Sequence, residues 1–253
     1  MNILGIDIGG SAIKGGVVDS ITGKLLTERQ RFETPTGGKP QAMLEVLVEL
    51  VRHFNWKGPI GCGYPGVVKN GQIFTAANLD KSWIGLNLEQ LLEHHTDCPA
   101  HCLNDADAAG LAEMHFGAGR NRLEPVMMIT VGTGIGTALF NHGQLCPNTE
   151  LGHLFMKNGK EGEKWASAAV KERQELSWKD WSKRFDKYLR LVESLFWPDL
   201  FIIGGGIADK AEKFLPYLKV QTEIRIAEQG NVAGITGAAL AALRDSHSDT
   251  VAF

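Results

Sequence analysis

The chain has 253 residues, and its 43% hydrophobic and 22% charged content excludes a disordered or fibrous protein and suits one large domain or two of about 100–150 residues. Its net charge of −3 offers no basic field for nucleic acid. No run reaches about 18 uninterrupted apolar residues, and the first residues lack the basic, apolar and small-residue pattern of a signal peptide, so a cytoplasmic protein with no membrane or nucleic-acid partner is expected.

Residues 2–8 and 12–19 are apolar runs joined by Gly9-Gly10, and a third run spans 24–34 after Thr22-Gly23, which predicts a three-strand meander. Residues 40–54 carry helical spacing with Pro40 near the start. A short strand follows at Pro59–Gly63, then a hairpin at Val67–Phe74 around Asn70-Gly71. Asn87–His95 reads as a helix, Ala100–Leu103 as a strand and the alanine-rich Asp105–Phe116 as a helix stopped by Gly117 and Gly119. Cys98, His101 and Cys102 look briefly like metal ligands. Residues four apart on a strand are separated by roughly 13 Å, too far to share one tetrahedral zinc, so these read as reduced structural side chains.

The same grammar then returns. Pro125–Val131 is an apolar strand, Gly132–Gly136 a glycine turn, Thr137–Phe140 a strand and Gln144–Cys146 another after Asn141–Gly143, so a doubled architecture is expected. Helices are predicted over Glu163–Gln174 and over Ser177–Trp197, with Ser177 as N-cap and Pro198 as stop. Asp199–Ile203 is a buried strand, Gly204–Gly206 a turn, Ile207–Leu218 a helix, Thr222–Ile226 a strand and Gly234–Arg244 a closing helix before a loose tail.

Three glycine turns thus each follow an apolar strand, where missing Cβ atoms let backbone amides approach an anion. Any one alone is as readily a plain hairpin turn. The P-loop pattern is absent, because Gly23-Lys24, Gly38-Lys39 and Gly159-Lys160 are not followed by Ser or Thr. Gly61-x-Gly63-x-x-Gly66 matches a dinucleotide fingerprint by letter, but Pro65 and the hairpin behind it contradict the required strand-to-helix turn. No Gly-x-Ser-x-Gly nucleophile elbow occurs.

Asp7-Ile-Gly9-Gly10-Ser11-x-x-Lys14, Val131-Gly132-Thr133-Gly134-x-Gly136 and Ile203-Gly204-Gly205-Gly206 resemble the two phosphate motifs and the adenosine motif of the sugar kinase, actin and heat-shock ATPase superfamily. Leu103-Asn104-Asp105-Ala-Asp107 and Glu150-Leu-Gly152-His153 are similar to the sugar-site motifs of the "repressor, open reading frame, kinase" (ROK) sugar kinases. Order and spacing hold from residue 3 to about 243. Pro147–His153 and Leu195–Gly206 are closest to the polyphosphate-dependent glucokinases of that family.

The resemblance implies an α/β actin-like ATPase (ribonuclease H-like) duplicated fold, with two lobes around a central cleft. The small lobe is expected over 1–107, with a closing helix 238–253 packed back on it, and the large lobe over 108–237. It implies transfer of a phosphoryl group to the 6-hydroxyl of glucose from polyphosphate and/or ATP. Asp105 is the implied general base. Gly66, Asn78, Asn104, Asp105, Glu150, His153 and Glu163 are the implied sugar contacts. Asp7, Gly9, Gly10, Ser11, Lys14, Gly132, Thr133, Gly134, Gly204, Gly205 and Gly206 are the implied phosphate and nucleotide contacts. Mg²⁺ is implied on Asp7 through water, and a homodimer as the assembly. Typical members carry a cysteine-rich zinc motif after Gly-His; here residues 157–165 hold no cysteine, so no zinc is expected.

Blander readings stand beside these. Asn104 or Asp105 can simply cap the following helix, and a lone His153 can be a satisfied core histidine. Residues 157–190 hold ten Lys or Arg against six Asp or Glu, a net of +4, while the rest of the chain is at −7. That asymmetry suits a polyphosphate groove near Lys160, Lys164, Lys171 and Arg173, but Glu175/Lys179, Asp180/Arg184 and Asp186/Arg190 are also the pairs of any solvated helix. The alternatives are an ATP-only hexose kinase of the same fold, a sugar-sensing repressor and an actin-like filament protein. A repressor of this family needs an N-terminal helix-turn-helix, for which a first strand at residue 2 leaves no room.

Overall fold

The computed structural model describes residues 1–245; the end of the expected closing helix and the expected tail, over 246–253, lie outside the described residues. Two compact units divide the chain, one formed by Met1–Phe116 with the segment from Val232 onward, the other by Gly117–Asn231. The expected divisions at 107/108 and 237/238 fall inside helices, whereas the observed ones fall after the helix that ends at Phe116 and in the 3₁₀ turn Gly230–Val232 that leads into the last helix.

In the first unit β1 (Asn2–Ile8), β2 (Ala12–Asp19) and β3 (Gln30–Glu33) form an antiparallel meander. β3 is shorter than the expected run, because Leu25 makes only an isolated bridge to Val18 and the Thr27 hydroxyl accepts from the Val17 N–H. α1 (Pro40–His53) buries Met43, Leu44, Leu47, Val48, Leu50 and Val51 along one stripe. β4 (Ile60–Tyr64) adds to β1 in parallel, and β5 (Val68–Lys69) with β6 (Gln72–Ile73) makes the expected small hairpin. α2 (Leu88–Thr96), capped by the Asn87 carboxamide, leads to β7 (Ala100–Asn104), which pairs in parallel with β4, and then directly to α3 (Asp105–Phe116). The strand order is β3-β2-β1-β4-β7.

The second unit repeats the plan. β8 (Val126–Val131), β9 (Ile135–Asn141) and β10 (Gln144–Cys146) form the meander. α4 (Glu163–Ala166), α5 (Ala168–Arg173) and α6 (Trp178–Phe196) follow, then β11 (Leu200–Gly204), α7 (Ala211–Phe214) and β12 (Glu223–Ile226). β11 pairs in parallel with both β8 and β12, giving the order β10-β9-β8-β11-β12. Orders and strand directions match those of the first sheet. The single helix expected over Glu163–Gln174 is broken at Ser167, whose extended backbone starts α5 and whose hydroxyl caps it. The Trp181 indole N–H donates to the carbonyls of Ala166 and Ser167 there, so a buried tryptophan uses the carbonyls that a continuous helix would consume. Trp181 also stacks on Phe185, and Phe185 on Tyr188, to build this unit's core. The helix expected over Ile207–Leu218 is a 3₁₀ turn, the short α7 and a second 3₁₀ turn containing Pro216.

α8 (Ala233–Asp245) returns to the first unit and packs on β1, β4, β7 and α3. The contact is backbone to backbone. A Cβ on Gly5 would strike the Ile235 carbonyl, one on Gly61 the Ala238 carbonyl and one on Gly237 the Ala108 carbonyl. Glycine on each surface and alanine around it allow this approach and account for the alanine and glycine carried by both helices.

Candidate active site

Asp7 stands one residue from the end of β1, opposite Lys14 of β2 in register, and the Lys14 ammonium lies 3.2 Å from its carboxylate. Gly9 and Gly10 turn the chain tightly: the Gly9 N–H donates to the Ala12 carbonyl at 2.9 Å, and the Thr34 hydroxyl donates to the Gly9 carbonyl at 2.6 Å. Gly10 and Ser11 are exposed. Asn78 is exposed too and lies beside Gly10, 3.7 Å from a Cβ built there. The first turn of α8 reaches Asp7 from another side at Gly234, a residue that no local sequence signal marks.

At the end of β7 the capping question resolves. The buried Asn104 carboxamide oxygen accepts from the N–H groups of Ala106 and Asp107 at 2.8 and 3.0 Å, so Asn104 caps α3. Its amide nitrogen donates to the Gly66 carbonyl at 3.1 Å, which ties Gly66 into the same corner. Asp105 opens the helix, half-buried, and one of its oxygens accepts from the Ala106 N–H at 2.7 Å. Asn104 therefore holds the corner and Asp105 projects a carboxylate from it.

The second unit gathers Glu150, His153 and Glu163. Thr137 and Thr149 clasp each other: the Thr137 hydroxyl donates to the Thr149 carbonyl at 2.5 Å and the Thr149 hydroxyl to the Thr137 carbonyl at 2.9 Å. This pins the segment leading to Glu150 against β9, and Gly152 lets the following 3₁₀ turn lie on the Ile135 carbonyl. His153 Nε2 is then 3.5 Å from Glu150 Oε2, and its Nδ1 is 3.1 Å from Glu161 Oε2 and 3.9 Å from Glu163 Oε1. Burial is the main influence on Glu150, raising its pKa, with attraction from His153 opposing and repulsion from Glu163 adding to the rise. Glu161 is held low, first by the Lys164 ammonium and then by His153. Burial also pushes the Tyr188 hydroxyl up, with Glu163 adding to the effect. Such a set of two carboxylates and an imidazole can grip neighbouring hydroxyl groups.

The glycine turns of this unit join the same assembly. Gly134 faces the Glu163 carboxylate, the Gly132 carbonyl accepts from the Ala169 N–H at 3.1 Å, and the Thr133 side chain is exposed. Gly205, at φ +77°, packs on Val131 so closely that a Cβ would lie 2.6 Å from its carbonyl oxygen, which seats the Gly204–Gly206 turn against the end of β8. Each unit thus carries its glycine turn beside its own hydroxyl-binding candidates. Glu161 is the member the sequence hides, because it lies in a run of lysines and glutamates that reads as solvated charge.

His153, Glu161 and Glu163 offer ligand atoms within 4.8 Å of one another, the arrangement a cation could use. Lys164, however, places its ammonium 2.8 Å from the same Glu161 oxygen that faces His153. No cysteine joins the cluster: Cys62, Cys98 and Cys102 are buried in the first unit, and Cys146 is exposed on β10. A carboxylate already neutralised by lysine does not fit a zinc site of thiolates and imidazole.

The ROK family model matches residues 3–167. This chain belongs to the ROK family. The polyphosphate glucokinase of Mycobacterium tuberculosis is 47% identical over 243 residues, covering 96% of this ROK chain and 91% of that protein. The polyphosphate glucokinase of Mycobacterium leprae is 45% identical, covering 95% and 74%. Among solved structures, the inorganic polyphosphate/ATP-glucomannokinase of Arthrobacter sp. strain KM superposes with a TM-score of 0.93 at 43% identity, covering 96% of this chain and 99% of that one. The fold of this ROK protein is the duplicated α/β fold of the actin-like ATPases.

Proposed function

We infer that this ROK protein is a polyphosphate glucokinase, which transfers the terminal phosphoryl group of inorganic polyphosphate to the 6-hydroxyl of glucose. The observation that carries the reading is the 47% identity to a polyphosphate glucokinase across 96% of the chain. Its support in the geometry is the pairing, within the second unit, of the glycine turn Gly132–Gly136 with the hydroxyl-binding set Glu150, His153 and Glu163.

In the reaction the Asp105 carboxylate accepts the proton of the sugar hydroxyl as that oxygen attacks the terminal phosphorus. The bridging P–O bond breaks, and the polyphosphate leaves one unit shorter. Asn104, fixed as the cap of α3, and Gly66 hold the sugar near Asp105; Asn78 is a further contact; Glu150, His153 and Glu163 bind its other hydroxyls. Gly9, Gly10, Ser11, Lys14 and the turns at Gly132–Gly134 and Gly204–Gly206 bind the phosphoryl donor. Asp7 is partly exposed but paired with the Lys14 ammonium at 3.2 Å, so it would hold Mg²⁺ only through the ion's own waters and not as a direct ligand, and the ion would neutralise charge on the transferring group. The basic run 157–190 supplies the polyphosphate track through Lys160 and Arg173, both exposed.

ATP is proposed as a second donor, because the Arthrobacter kinase, 43% identical, is named for both donors. Among the described residues no helix is long and apolar enough to cross a membrane, and the reading takes the enzyme as a cytoplasmic homodimer. The test is glucose 6-phosphate formation by the purified protein with Mg²⁺ and either long-chain polyphosphate or ATP. Product with polyphosphate is expected; product with ATP alone rejects the reading in favour of an ATP-only hexose kinase.

A further inference from the structure

We propose that Glu161 is a positioning residue of the sugar site: it holds the His153 ring by Nδ1 and so presents Nε2 to the sugar beside Glu150. The inference rests on the glucokinase reading above.

The loop that carries Glu161 is built to bring it back. The Gly162 N–H donates to the Leu154 carbonyl, the Met156 N–H to the Lys160 carbonyl and the Gly159 N–H to the Met156 carbonyl, each at 2.8 Å. Phe155 and Glu161 form an isolated antiparallel bridge. Eight residues after His153, the chain is thus folded so that a carboxylate meets the imidazole at 3.1 Å.

The charge state of the pair follows from its neighbours. The Lys164 ammonium, 2.8 Å from Glu161 Oε2, keeps that carboxylate ionised, and an ionised carboxylate only accepts. Nδ1 of His153 must therefore carry the hydrogen, and in the neutral ring Nε2 is left as an acceptor. Nε2 faces Glu150 Oε2 at 3.5 Å, beyond hydrogen-bond length. The acceptor Nε2 is thereby turned to the side on which Glu150 stands, where a sugar hydroxyl can donate to it. Glu163 sets the cost of losing Glu161. Its Oε1 lies only 3.9 Å from the same Nδ1, so a released ring can swing to it and occupy a carboxylate needed for the sugar.

The experiment compares Glu161→Ala and Glu161→Gln with the full-length wild type. Glu161→Ala is expected to lower kcat/KM for glucose by about tenfold or more while KM for polyphosphate stays within about twofold. Glu161→Gln, whose amide oxygen still accepts from Nδ1, falls between. Long-range ¹H–¹⁵N spectra of histidine-labelled protein give a readout that mere loss of stability does not move. The His153 signals, assigned by their absence in His153→Asn, show the Nδ1–H tautomer at one position in the wild type and in Glu161→Gln, and move away from that position in Glu161→Ala, where the ring turns toward Glu163. An active wild type with an unimpaired Glu161→Ala overturns the proposal, as does an Nε2–H tautomer in the wild type. One equivalent of zinc retained by dialysed wild type and lost in Glu161→Ala also overturns it, since the cluster is then a metal site. A wild type that phosphorylates no glucose refutes the function instead, and the tautomer measurement still decides the role of Glu161.

Discussion

Gly234 has no room for a side chain because of Asp7: a Cβ there would lie 2.8 Å from the Asp7 Cγ and 3.0 and 3.2 Å from its two carboxylate oxygens. The first turn of α8 is thereby laid against the acid at the end of β1, where helix N–H groups favour negative charge. The two residues are 227 positions apart in a chain of 253, and the packing of α8 on β1 through Gly5 is what brings them together.

Gly234→Ala should therefore separate stability from activity. Alanine is a better helix former than glycine by up to about 1 kcal/mol, which offsets part of the cost of displacing the Asp7 carboxylate from Gly234 and Lys14, so Tm should change by only a few degrees. The added methyl turns the Asp7 carboxylate away, and misplacement on that scale costs of order 100-fold in turnover. Thermal unfolding and kcat with saturating glucose and polyphosphate check this. A variant with normal kcat removes Asp7 from the phosphoryl site.

Asn104 and Asp105 are neighbours with different duties, and substitution should tell them apart. Asp105→Asn keeps size and hydrogen bonding but removes the base, so kcat should fall by roughly 10²–10⁴ with Tm within about 3 °C of wild type. Asn104→Ala deletes a helix cap and the bond to the Gly66 carbonyl, so it should cost about 1 kcal/mol of stability or more and raise KM for glucose. Near-normal turnover in Asp105→Asn sinks the assignment of the base.

Both sheets and all three glycine turns were legible because their signals are local: an apolar run, then glycine. Ser177 was legible as an N-cap for the same reason, and its hydroxyl accepts from the Asp180 N–H at 3.1 Å. What stayed hidden is set by distant partners. The break at Ser167 depends on the Trp181 indole, and nothing in Glu163–Gln174 itself opposes one continuous helix. Glu161 lies in a stretch that reads as solvated charge until the loop closes it onto His153. Gly234 looked like the mere start of a closing helix. The motif Leu103–Asp107 marks Asn104 and Asp105 together, and only the turn of β7 into α3 makes Asn104 the cap.

Glu150 should make the protein less stable as pH rises. Burial raises its folded pKa above the ordinary 4.5, so between those two values the folded state holds a proton that the unfolded chain has released. Stability contributed by the protonated form is complete below pH 4.5 and is lost as pH climbs through the raised value. Glu150→Gln should accordingly have a higher Tm than wild type at neutral pH, with the gap closing below about pH 4.5, and should bind glucose poorly. The carboxylate is partly exposed, so the Tm gain is modest. Tm measured across that pH range tests the sign, and a gap that widens toward acid contradicts it.

The polyphosphate track should be separable from the sugar site. Lys164 is engaged with Glu161 and Lys171 lies over the Trp178 ring at 4.2 Å, which leaves Lys160 and Arg173 as the exposed cations of the sequence-derived groove whose charge the described ion pairs do not use. Lys160→Ala/Arg173→Ala should raise KM for long-chain polyphosphate several-fold, leave KM for glucose within about twofold and flatten the dependence of kcat/KM on salt. An unchanged polyphosphate KM moves the track elsewhere.

Gly134 is where the Gly132–Gly136 turn of the second unit meets Glu163. A Cβ on it would lie 2.5 Å from Glu163 Oε2, so the turn admits only glycine while Glu163 keeps its place. Gly134 has no positive φ, and alanine there is therefore resisted by contact and not by backbone strain. Gly134→Ala should push Glu163 off its position, toward or past the His153 ring whose Nδ1 lies 3.9 Å from its other oxygen. KM for glucose should then rise about tenfold or more, because a site that binds hydroxyls by paired polar groups loses them together when one acceptor moves. A second variant separates this from damage to the turn. Glu163→Ala alone should weaken glucose binding, and Gly134→Ala added to it should cost little more in KM for glucose, since the residue that the methyl displaces is already gone. Additive losses in the double variant would instead mean that Gly134 serves the phosphoryl donor directly, through its backbone amide, and that its closeness to Glu163 is incidental.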